Sequence, residues 1–184
     1  MKRHIATLAV IALSAAACGG GETAAPTTSA AAPASTAPSS TTPANGAKAP
    51  AVLKFTGTTL DGKPYDGAAL AGKPVVFWFW APWCPKCQGE GPAVAKGAAK
   101  YGSKVAFVGV AGLDKNKEQM DRFVRRTGTT GLVHLDDRDG ALYRHFKVTS
   151  QSSYVFVSPS GATRKATGPL DESELSRLVD AHTK

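Results

Sequence analysis

Six consecutive apolar residues, Val75-Val76-Phe77-Trp78-Phe79-Trp80, run through Ala81-Pro82-Trp83 into Cys84-Pro85-Lys86-Cys87. A short run with no polar break predicts a strand buried on both faces, the kind found at the centre of a covered sheet. Two thiols three positions apart follow, where a helix is expected to start. The first sulfur then lies at the helix N-terminus, where free N–H groups and the positive end of the dipole stabilise a thiolate. The second lies one turn further in and can close a disulfide onto the first. This is an arrangement for thiol–disulfide exchange. The same two cysteines in a zinc site would need two more ligands at short spacing. The only other cysteine is Cys18, and His134, His145 and His182 are scattered singly.

Residues 1–17 have the character of an export signal. Lys2 and Arg3 form a charged start, and Ile5 to Ala17 is an uncharged apolar stretch. It is short for a membrane span and suits the apolar region of a signal peptide. Ala15-Ala16-Ala17 precede Cys18, and Gly19-Gly20-Gly21 follow it. This resembles a bacterial lipobox, although Ala15 stands where such boxes usually carry Leu. The expectation is a lipidated Cys18 at the mature N-terminus; ordinary secretion is the alternative. Three cysteines is an odd number for an exported chain. Assigning Cys18 to a lipid leaves one pair, which an oxidising extracytoplasmic setting can use.

Residues 22–50 contain no Val, Leu, Ile or aromatic residue. Such a segment buries too little apolar surface to offset its ordering entropy, so 18–50 reads as a lipid-bearing, disordered Ala/Thr/Ser/Pro tether. As a flexible coil its last 29 residues reach on the order of 30 Å. The net charge of +8 falls to +6 without Lys2 and Arg3, since 22 − 2 basic residues face 14 acidic ones. A basic surface of this size can lean on anionic headgroups. Nothing clusters basic residues with aromatics as nucleic-acid binding requires.

Residues 51–184 carry every Trp, Tyr and Phe and are expected to form one domain. Val52 to Phe55 reads as a short strand, and Leu60-Asp61-Gly62-Lys63 as a turn. Val75–Trp80 is the buried strand, followed by a helix from Pro85 to Tyr101, kinked at Pro92. Val105 to Val110 is a second central strand, and Lys117 to Arg126 a helix with Met120, Phe123 and Val124 on one face. A short helix over Asp139 to Phe146 precedes strands at Tyr154–Val157 and Thr163–Thr167. A last helix starts at Asp171, with Glu174 three residues on. This order predicts an α/β fold, a central mixed sheet flanked by helices, with an N-terminal strand and hairpin added.

Trp80-Ala81-Pro82-Trp83-Cys84-Pro85-Lys86-Cys87, followed by Glu90 and Pro92, resembles the thioredoxin-like domain of extracytoplasmic TlpA/ResA/CcmG-type oxidoreductases. Phe77 to Trp83, Phe107 to Asp114 and the lipoprotein layout look closer still to secreted DsbE/DsbF-like proteins of actinobacteria. The resemblance implies a thioredoxin-like fold and a redox-active disulfide between Cys84 and Cys87. Cys84 matches the exposed attacking cysteine, and Cys87 the buried resolving one. Glu90 matches an acid under the active site that helps deprotonate the resolving thiol. Trp80, Pro82 and Trp83 match an apolar rim for substrate, and Trp80 suits the core equally. No cofactor and no metal are implied. The implied partners are thiols and disulfides of exported proteins, a membrane redox partner that recycles the pair, and the membrane itself.

Two departures from the family pattern stand out. Trp78 occupies the place where cytoplasmic thioredoxins keep a buried Asp, which leaves Glu90 to handle the proton. Ser152 occupies the place of a cis-proline facing the disulfide, in a substrate-binding loop. Because a cis bond before a non-proline residue costs about 2.5–4 kcal/mol, a trans or strained Gln151–Ser152 bond is expected, with the isomer left open. The functional expectation is a membrane-tethered oxidant serving oxidative folding of exported proteins. The alternatives are a reductant in cytochrome c maturation, a thiol peroxidase, or a binding lipoprotein in which the disulfide is only a staple.

Overall fold

The computed structural model describes residues 48–183. The signal segment, Cys18 and the tether up to residue 47 lie outside the described residues.

The polypeptide enters through a 3₁₀ turn at Ala51–Leu53 and then forms a small hairpin, β1 (Thr56–Thr58) with β2 (Pro64–Asp66). Its connection contains the predicted turn, closed by the Thr59 N–H donating to the Lys63 carbonyl at 2.9 Å. The strand expected at Val52 to Phe55 is therefore displaced toward the hairpin. Leu53 and Phe55 instead turn their side chains into the core.

The main sheet contains β3 (Val75–Trp80), β4 (Ala106–Gly112), β5 (Val133–Asp137), β6 (Ser153–Val157) and β7 (Thr163–Thr167), in the order β5-β4-β3-β6-β7. β3, β4 and β5 run parallel, while β6 and β7 run antiparallel to their neighbours. The apolar run thus takes the middle position, and all six of its residues are buried. Successive side chains on a strand point to opposite faces, so this one segment feeds two cores. Val76, Trp78 and Trp80 pack with residues of α1 (Pro85–Tyr101), α2 (Lys117–Arg126) and α4 (Glu172–His182). Val75, Phe77 and Phe79 pack with Leu53, Phe55 and the short helix α3 (Ala141–His145). Full burial of one such side chain stabilises by about 1.5–3 kcal/mol.

The helix starts follow from local chemistry. Asn116 Oδ1 accepts the Gln119 N–H at 3.1 Å to cap α2, and Asp171 Oδ1 accepts the Glu174 N–H at 2.8 Å to cap α4. Asp137 at the end of β5 accepts the Leu142 and Tyr143 N–H groups of α3, at 2.8 and 2.9 Å. Its burial pushes the carboxyl up, against the pull of those N–H groups. Pro92 lies inside α1, which continues through it to Tyr101.

Candidate active site

β3 delivers the chain to the C-terminal edge of the sheet, and α1 begins there with Pro85 at its first position. Proline suits that place because its missing N–H would have no partner anyway. Cys84 is the N-cap of α1, and its sulfur accepts the Cys87 N–H at 3.2 Å. Cys84 and Cys87 form a disulfide across this first turn, with Cα atoms 5.3 Å apart. Cys87 is fully buried and Cys84 is only 3% exposed, less open than the expected surface thiol. Among the described residues no third His, Cys, Asp or Glu joins the pair as a metal ligand.

The side chains matched to an apolar rim part company. Trp83 is 50% exposed, and its indole N–H donates to the Leu113 carbonyl at 3.0 Å. Leu113 is itself 43% exposed and has φ +56°, in the left-handed region. Pro82 is buried, and its carbonyl accepts from the Gln88 side chain at 3.3 Å. Trp80 has no exposed surface, so of rim and core, the two places open to it, it takes the core. Its ring stacks on Phe123 with centroids 4.2 Å apart. Its N–H donates to His134 Nδ1 at 3.2 Å. His134 therefore carries its proton on Nε2, which donates to the Thr129 carbonyl at 2.9 Å. Burial pushes this histidine down, toward the neutral form the bond requires.

Glu90, one turn beyond Cys87, is buried beneath the apolar layer instead of facing solvent. Its carboxylate accepts the Leu170 N–H on Oε1 at 2.7 Å. On Oε2 it accepts the Trp78 indole N–H at 3.4 Å and the Ser152 hydroxyl. The Trp78 N–H is shared with Ser152 Oγ, 3.3 Å away. Trp78 thus stands in the thioredoxin Asp position as a donor to an acid carried on α1. Burial, and after it the charge of Glu90, pushes the Tyr154 hydroxyl well above its ordinary value.

The Gln151–Ser152 bond is cis, where the sequence left the isomer open. In this geometry the Ser152 carbonyl accepts the Gly168 N–H at 2.9 Å and its hydroxyl turns inward to Glu90. Ser152 immediately precedes β6, whose Ser153 pairs with Phe79 near the end of β3. The loop therefore lies at the cysteine end of the sheet. Sequence reasoning missed Tyr154, Leu113, Leu170 and Gly168. Only the presence of Trp78 in a position usually acidic hinted at a rebuilt network.

The Redoxin family profile matches residues 35–169. The chain belongs to that family. Soluble secreted antigen MPT53 of Mycobacterium tuberculosis is 39% identical over 134 residues, covering 71% of this chain and 76% of its own. Among solved structures, MTB DsbF in its mixed oxidised and reduced forms is 46% identical with a TM-score of 0.70, covering 74% of this chain and all of its own. A secreted M. tuberculosis disulfide oxidoreductase homologous to E. coli DsbE is 38% identical with a TM-score of 0.66, covering 71% and 97%. The chain is thus a thiol–disulfide oxidoreductase with a thioredoxin-like fold and a Cys pair at bonding distance. Among the described residues no helix is long and apolar enough to cross a membrane.

Proposed function

We propose that this oxidoreductase works outside the cytoplasm as an oxidant of exported proteins, held at the membrane by a lipid on Cys18. The observation that carries the direction is the Cys84 sulfur at the N-cap of α1, accepting the Cys87 N–H. That donor and the helix dipole favour a thiolate, hence the reduced enzyme, and so raise its potential as an electron acceptor. Two relatives described as secreted support the location.

In the cycle a substrate thiolate attacks Cys84 Sγ, the Cys84–Cys87 bond breaks, and Cys87 leaves with the electron pair. The second substrate thiolate then attacks the substrate sulfur of the mixed disulfide and expels the Cys84 thiolate. The substrate has lost two electrons and two protons; the enzyme keeps both electrons and one proton, on Cys87, and the other proton passes to solvent. A membrane partner's disulfide restores the enzyme. Cys84 attacks it, and Cys87, passing its proton to Glu90, displaces the partner's sulfur. Trp83 and Leu113 form the apolar rim against which the substrate segment lies, with the backbone around Ser152 beside it.

The redox potential of the pair against glutathione tests the direction. A value above about −250 mV is expected, toward disulfide isomerase near −180 mV and away from thioredoxin near −270 mV; a lower value marks a reductant. For the tether, Cys18→Ala is expected to move the protein from the membrane fraction into the medium. Unchanged fractionation, or wild-type protein already in the medium, defeats lipid anchoring.

A further inference from the structure

Glu90 is held from three separate parts of the chain: Trp78 of β3, Ser152, and the segment after β7, where the Leu170 N–H bonds it and Gly168 reserves its space. A Cβ at Gly168 would stand 2.8 Å from Glu90 Cδ and 2.9 Å from Ser152 Oγ. Any side chain there would push the two apart. Trp78 and Leu170 offer only N–H donors, so both carboxyl oxygens act as acceptors. Tyr154 of β6 also faces this carboxylate, and the two cysteines of α1 are the other titratable groups of the site. Asp171, next to Leu170, is turned to solvent as the cap of α4. Among the described residues no Lys or Arg pairs with Glu90.

We infer that Ser152 is a positioning residue for Glu90: its hydroxyl serves the acid beneath the disulfide, while only its backbone faces the substrate. A proline at this place could give no such bond. Here the hydroxyl takes the mobile proton's acceptor as its partner, tying the substrate loop to the step in which Cys87 is deprotonated. The inference rests on the reading of Glu90 as that acceptor. A hydrogen bond to a charged group is worth more than one between neutral groups, so its loss bears directly on the step in which the proton is passed to Glu90.

The test uses the reduced full-length protein and dithiobis(nitrobenzoate). The Cys84 thiolate cleaves the reagent's disulfide and releases one thionitrobenzoate. Cys87 then attacks Cys84 Sγ and releases the second, leaving the Cys84–Cys87 disulfide, with the Cys87 proton going to Glu90. The rate of the second release is followed against pH, with thermal unfolding recorded for each variant. Ser152→Ala is expected to move the acidic limb up by about one pH unit, a tenfold slower release on that limb. Ser152→Gly, a second hydroxyl-free variant, is expected to do the same, and Ser152→Thr to keep the wild-type limb. Glu90→Gln is expected to lose the limb. A wild-type limb in whichever hydroxyl-free variant folds, with the limb lost in Glu90→Gln, overturns this inference alone. A wild-type limb in Glu90→Gln overturns the role of Glu90 and this inference with it.

Discussion

Cys84→Ser loses insulin reduction and the refolding of reduced ribonuclease together, on the order of a thousandfold or more, the scale of losing a catalytic nucleophile. A serine hydroxyl in the same place still caps α1 but is neither ionised near neutral pH nor able to form a disulfide. Unfolding does not explain the loss. The disulfide closes a loop with a sequence separation of only 3, so in the chain-entropy account it confers at most about 2 kcal/mol. The two cores on either side of β3 stay intact. Cys87→Ser behaves differently, because Cys84 still attacks and nothing displaces what it has captured. Mixed disulfides with substrate proteins are expected to accumulate and to disappear on treatment with a reductant. Activity indifferent to Cys84→Ser would make the pair a staple in a binding protein, and peroxide turnover by the wild type would make the chain a peroxidase.

The legible parts of the fold are those in which one short segment decides its own fate. Val75–Trp80 has no polar residue, so burial in a central strand is its only outcome, and Cys84-Pro85 starts a helix by local geometry alone. β5 escaped notice for the opposite reason. Val133-His134-Leu135-Asp136-Asp137 carries polar residues that break the apolar pattern: His134 is buried against the distant Trp80, and Asp137 accepts N–H groups of α3 five and six residues on. The site divides the same way. The two cysteines are the N-cap and a first-turn residue of one helix and could be read directly. The surroundings of Glu90 come from residues 78, 152, 154, 168 and 170, and no spacing rule links those positions. Nor does a continuous apolar run reveal which of its tryptophans reaches the surface: Trp78 and Trp80 point into one core, and Trp83, past the end of the strand, is open.

Trp80→Ala therefore tests core against rim. The truncation removes the stack on Phe123 and strands His134 Nδ1 without its donor. Large-to-small changes of a buried Trp cost about 3–5 kcal/mol, and for a domain of this size that corresponds to a midpoint lowered by roughly 10–20 °C. Trp80→Phe keeps the aromatic contact and loses only the N–H, so about 1–3 kcal/mol is expected. Gly109 on the neighbouring strand marks how closely this pair is enclosed, since a Cβ there would come within 2.9 Å of Trp80 Nε1 and overlap the His134 ring. Thermal unfolding by circular dichroism, beside kcat/KM for a reduced peptide substrate, separates the two roles. A rim residue would lower kcat/KM at an unchanged melting temperature, as Trp83→Ala is expected to do. A core residue lowers the melting temperature and leaves kcat/KM intact at temperatures where the variant is still folded, because Trp80 presents no surface to a substrate.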